Sequence, residues 1–112
     1  MNKGSLRSSV LLSVQRALVG EIDPYMRAVS VEWDESRIRI HVYYDGLVTD
    51  EALGDFDAGA VTQVVADFPY PEREDPSVEF DMLRCDSPSP VPARGVLVFA
   101  RKGETFDRVN DV

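Results

Sequence analysis

Three kinds of side chain in this sequence could carry chemistry: one histidine, one cysteine and twenty carboxylates. His41 stands in the alternating run VSVEWDESRIRIHVYYDG (29–46), close to Arg39 and Tyr43. An imidazole near neutral pH is the commonest general base, but it needs a nucleophile or carboxylate held within reach. No neighbour in sequence has that spacing, and the alternation already explains His41 as an outward residue of a strand. Its stronger functional reading is a place in a contact surface. Cys85 precedes Asp86, whose charge disfavours a thiolate, and no Cys-His-Asn partnership is available. It reads as a structural or incidental thiol. One cysteine and one histidine also fall short of the three or four ligands of an ordinary zinc site.

The carboxylates offer more. Asp50, Glu51, Asp55 and Asp57 crowd into two helical turns and could ligate magnesium, as in nucleases, or act as the acid pair of a glycosidase. A nuclease must also neutralise phosphate, and this stretch has no lysine or arginine for that purpose. The spacing Asp50-x4-Asp55-x-Asp57 matches no calcium loop. Gly54 and Gly59 sit inside a helical pattern and not after a strand, so they form no phosphate loop. Arg37, Arg39, Tyr43 and Tyr44 resemble a stacking platform for single-stranded nucleic acid only weakly.

Charge distribution says more than any motif. The 112 residues carry a net −8, yet residues 45–81 hold eleven acidic residues and one basic residue, a net −10. The remainder carries eleven basic and nine acidic residues, a net +2. A field so concentrated repels nucleic-acid phosphates and attracts a cationic protein.

These residues need elements to hold them. Leu6, Val10, Val14, Ala17 and Leu18 recur at spacings of three and four, which predicts a helix over 5–18 with Ser5 as its N-cap. Val29, Val31 and Trp33 then alternate with polar residues, as do Ile38, Ile40 and Val42. This predicts a hairpin with Glu35-Ser36 at its tip, Trp33 opposite Ile38, Val31 opposite Ile40 and Val29 opposite Val42. A one-residue slip would bury Arg37 and Arg39, so the register is well specified. The same register sets Glu32 opposite Arg39 and Ser30 opposite His41. Thr49 caps a second helix running to about Phe68, with Leu53, Phe56, Ala60, Val61, Val64 and Phe68 as its apolar stripe. Pro69 ends it. Val78 to Arg84 and Gly95 to Arg101 are strands, and the linker 86–92 is too rich in proline for regular structure.

The economical arrangement is an α+β two-layer sandwich in the order helix-strand-strand-helix-strand-strand, with an antiparallel four-stranded sheet and both helices on one face. The other face would be partly solvated and carry Arg37, Arg39, His41 and Tyr43. Residues 1–112 make a single domain, with 105–112 expected as a loose tail. Apolar runs of only a few residues fall far short of the roughly 20 a membrane span needs. The segment Val10–Val19 is broken by Ser13, Gln15 and Arg16, so it forms no signal-peptide centre. With a single cysteine, this predicts a cytoplasmic protein.

The stretch ALVGEIDPYMRAVSVEWDESRIRIHVYYDG, the T-D-E that opens the second helix, VVADFP and the late strand GVLVFARK together resemble a family of small acidic bacterial proteins. That family comprises immunity or antitoxin partners of polymorphic toxins in contact-dependent inhibition systems. The resemblance implies the same helix-strand order, no catalytic residues and a toxin as partner.

The reading is therefore a binding protein, not an enzyme, that neutralises a basic protein such as a toxin nuclease domain by covering its active site. It needs no cofactor and no metal and engages neither nucleic acid nor membrane. The residues expected at the interface are Asp50, Glu51, Asp55 and Asp57 on the second helix, with Glu72, Glu74 and Asp75 in the following loop. Tyr70 would serve there as an aromatic anchor. Two alternatives stand beside it: a small carboxylate- or magnesium-dependent hydrolase, and a structural homodimer built on the sheet face or an edge strand.

Overall fold

The structure of the chain is a computed structural model and describes residues 3–107. Its first helix, α1 (Lys3–Ala17), is followed by the hairpin β1 (Met26–Trp33) and β2 (Arg37–Tyr44). The second helical segment runs as α2 (Asp50–Phe56), a π-helical turn (Asp57–Val61) and α3 (Thr62–Asp67), with no break between them. β3 (Ser77–Arg84) and β4 (Val96–Ala100) complete the fold. Among the described residues no helix is long and apolar enough to cross a membrane.

The hairpin has the expected register: Trp33 faces Ile38, Val31 faces Ile40 and Val29 faces Val42. Burial of one face enforces it, since Val29, Val31, Ile38, Ile40 and Val42 are all at most 1% exposed. Both helices cover that face. Leu6, Val10, Val14 and Leu18 of the first helical region meet Phe56, Ala60, Val61, Val64 and Phe68 of the second in one core. Helix α1 starts two residues earlier than the sequence suggests, so Ser5 lies within it and is not its cap. Thr49 does cap α2: its Oγ1 accepts the Ala52 N–H at 3.0 Å.

The sheet differs from the expected all-antiparallel one. Its strand order is β3-β2-β1-β4, and β3 runs parallel to β2. The cause is the helical connection. A chain leaving β2 and returning through a helix comes back to the end where β2 began, so the next strand runs the same way. β3 and β4 do not pair, because the proline-rich linker carries the chain across the sheet to the far edge beside β1. At its end Gly95 adopts a φ of +77°, and a Cβ there would run into the Val31 carbonyl.

That linker also closes half of the face expected to be wet. Val91 and Ala93, with Ala28 and Tyr43, form a second small core, against which Leu97 and Phe106 pack. The Tyr43 hydroxyl accepts from the Arg94 N–H at 3.0 Å and pairs with Ser30 Oγ at 3.2 Å. Phe106 bridges Val91, and the N–H groups of Val91 and Asp107 bond the carbonyls of Thr105 and Val91. Residues 105–107 are thus tied down, and the rest of the expected loose tail, 108–112, lies outside the described residues. Tyr43 and His41 are buried, and only Arg37 and Arg39 of the four residues assigned to a solvated face are exposed.

Candidate interaction surface

The structure sorts the acidic residues into two groups. Most of those on and around the strands meet an internal partner. His41 sits between Glu32 (Nε2 to Oε2, 2.6 Å) and Asp81 (Nδ1 to Oδ1, 2.9 Å). Arg39 turns to Glu79 across the parallel pair at 2.6 Å, so the expected Glu32–Arg39 ion pair does not form although the two residues are opposite. Asp67 accepts from Ser13 at 2.6 Å and meets Arg16 at 3.3 Å. Asp86 is bound by Arg84 and the Gly46 N–H, and these donors hold its carboxyl below the usual carboxylate range.

The deepest of these sites is one that sequence reasoning missed. A register shift between Met26 and Ala28 sends Met26 into the main core and Arg27 to the other face. There Arg27, with a side chain only 1% exposed, forks onto Glu104 at 3.0 and 2.6 Å and donates to the Cys85 carbonyl at 2.7 Å. Arg101 joins Glu104 to Asp45. Hydrogen bonds from Arg27, outweighing desolvation and helped by Arg101, hold the Glu104 carboxyl below its ordinary value. Cys85 serves this knot through its carbonyl, and its Sγ lies 3.5 Å from Arg27 Nη1 and 3.7 Å from the Pro90 carbonyl. An arginine between Met26 and Ala28, in a strand of apolar residues, was the available signal.

The second group is different. Asp50, Glu51, Asp55 and Asp57 are exposed, and none meets a cation among the described residues. At about 100° per residue they spread over the arc of the helix opposite Phe56 and Ala60. Beside Asp55, the turn between α1 and β1 adds two carboxylates that sequence reasoning missed. Glu21, Asp23 and Asp55 line an open cleft of about 420 Å³ with Gly20, Ala52 and Phe56. Asp23 accepts only neutral donors: the N–H groups of Tyr25 and Met26 and the Tyr44 hydroxyl at 2.6 Å. Burial, then that bond to Asp23, pushes the Tyr44 hydroxyl well above its ordinary value. The acidic Glu21-Ile22-Asp23 sequence before Pro24 was the available signal.

The loop residues of the predicted set lie elsewhere. Glu72 and Glu74 are exposed, but they precede Ser77, which bonds the Ser36 carbonyl at the hairpin tip. Asp50 follows the opposite end of β2. Along the helical stretch the end at Asp67 lies about 25 Å from Asp50 and about 15 Å from Asp57, at 1.5 Å per residue. Asp75 accepts the Tyr70 N–H at 3.0 Å and closes the loop, and Arg73 covers the Tyr70 ring at 5.0 Å. Tyr70 therefore already has a cation on its ring, although it stays 51% exposed.

Among the described residues no three metal-ligating side chains converge, and no buried side-chain polar atom lacks a partner. The class of protein comes from comparison with known families: it is an immunity protein, which binds a toxin and carries out no catalysis. The chain belongs to the MafI2 immunity protein family, whose model matches residues 7–103. A hydrolase built on the acidic cluster falls with that membership. A search of curated proteins finds no match.

Proposed function

We propose that this immunity protein neutralises a toxin with a cationic surface, docking the exposed arc of α2 and the adjoining cleft over the toxin's active site. The observation that carries the reading is the unpaired charge: Asp50, Glu51, Asp55 and Asp57, with Glu21 and Asp23, face no cation of the described chain. Like charges held this close weaken a fold unless a partner relieves them. A lysine or arginine entering the cleft would meet three carboxylates at once, and the field around it would speed encounter. The loop set Glu72, Glu74 and Asp75, with Tyr70, would contribute from the margin of the same interface. The cytoplasm is the expected place of action.

The test uses the toxin domain encoded by the adjacent reading frame, rendered inactive. The double variant Asp55→Lys/Asp57→Lys should associate about 10-fold more slowly at low salt, and the gap should narrow as salt screens the field. An unchanged on-rate would remove the helix from the interface.

A further inference from the structure

The two edges of the sheet are not equivalent. β4 is five residues long, and its pairing with β1 shifts register between Val29 and Ser30. Short strands and bulges both blunt an edge against further pairing. β3 is eight residues long and pairs with β2 without a single shift from Ser77 to Arg84. It contains no proline, glycine or lysine.

Which backbone groups β3 offers follows from its ends. The N–H groups of Ser77 and Cys85 point at the carbonyls of Ser36 and Tyr44, next to and within β2. Strand geometry repeats every two residues, so the odd positions between them also face β2. The N–H and C=O groups of Val78, Phe80, Met82 and Arg84 consequently point out of the sheet. Among the described residues nothing bonds to them. The charges that would normally guard such an edge are turned aside: Glu79 is held by Arg39, Asp81 by His41 and Arg84 by Asp86.

We infer that the outer edge of β3 takes up an extended strand of the toxin, with basic residues alternating with apolar ones, as a fifth strand of the sheet. This mode of docking rests on the cationic partner proposed above. Its basic side chains would lie beside Glu79 and Asp81, which give one oxygen each (Oε1 and Oδ1) to Arg39 and His41 and keep about half of their side chains exposed. Its apolar ones would lie on the Phe80 face, beneath the second helical segment, whose Phe56 packs on Phe80 at 5.5 Å. The occupant is a cationic partner and not a second copy of this chain. Antiparallel self-pairing centred on Phe80 sets Glu79 opposite Asp81, and centring on Asp81 sets that residue against itself. Like charges directly opposite are destabilising, and two segments of net −10 would be brought together.

Hydrogen exchange of the full-length chain, free and bound to the inactivated toxin domain from the adjacent reading frame, tests this. The amides of Val78, Phe80, Met82 and Arg84 should slow at least ~10-fold on binding, while those of Ser77, Glu79, Asp81 and Leu83 change little. Met82→Pro removes one outward donor and leaves the β2 ladder intact, so it should raise the dissociation constant about 10-fold relative to Met82→Ala, which loses the same packing on the core but keeps the donor. Unaltered exchange at the four outward amides in a complex that still forms overturns the inference and leaves the cationic-partner reading standing. If Met82→Pro fails to fold, the exchange pattern decides alone. A chain that dimerises through the edge, seen by light scattering with these amides already protected in the free protein, also overturns it.

Discussion

The outer face of the sheet and the outer arc of α2 are both rich in carboxylates, and the chain treats them in opposite ways. On the sheet, Glu32, Glu79, Asp81 and Glu104 are each matched to a histidine or arginine within hydrogen-bond distance. On the helix, four carboxylates stand without a cation, and the neighbouring turn adds two more. Arginines are available in the sequence, but Arg27, Arg37, Arg39, Arg84 and Arg101 pair on or beside the sheet, Arg16 with Asp67 and Arg73 with the Tyr70 ring. The contrast separates charge already engaged within the fold from charge that meets no internal cation, a division that composition alone does not reveal.

The largest effect should come from the paired side. Glu104→Gln leaves Arg27 buried without its counter-charge, a loss that should lower the melting temperature by roughly 10 °C. The on-rate toward the toxin should stay as it was. A variant that melts normally would mean that the buried pair is not what fastens 101–107 to the sheet.

Acid should expose the same site. Because the folded Glu104 carboxyl lies below its ordinary value, its contribution is present above the unfolded value and fades as pH falls through the folded one. Wild type should therefore lose stability in acid more steeply than Glu104→Gln, as read from melting temperatures across an acid series. Parallel curves would assign the acid sensitivity to other groups.

Reversing Glu72 and Glu74 to lysine should slow association by only about 2- to 3-fold, since these charges lie at the far end of the helical layer and steer weakly. A drop as large as that of Asp55→Lys/Asp57→Lys would move the interface centre to the loop. The smallest change belongs to Glu79→Gln. Its partner Arg39 is half exposed, and an exposed pair of this kind should shift the melting temperature by about 2 °C or less.

Much of this was readable from the residues. The period-two alternation fixed the hairpin to the residue, because any slip would have buried arginine. Thr49 and Pro69 bounded the second helix. The sheet's pairing was not readable, since alternation in β3 says which side is buried and nothing of which strand lies beside it. His41 looked wet because its strand neighbours are arginines. Its burial goes with Asp81, forty residues away, and Glu32, which hold the ring from both sides, and with Tyr43 beside it. The candidate carboxylates were legible as a cluster, but their separation into a bare helix, an acidic cleft and a remote loop depends on where the chain reverses.

One spacing was legible and went unused. Phe56, Ala60, Val64 and Phe68 follow one another at intervals of four. In a regular α-helix at 3.6 residues per turn, three such steps drift about 120° around the axis. The π-helical turn at Asp57–Val61 takes up one extra residue and restores the alignment. Thr62 Oγ1 bonds the Asp57 carbonyl at 2.9 Å across it. Gly59 lies where a Cβ would collide with the Glu21 carboxylate. The turn therefore acts as a phase-setter between two halves of one rod: trim a single residue from it, and the hydrophobic half stays seated while the anionic half swings round by about a quarter of a revolution.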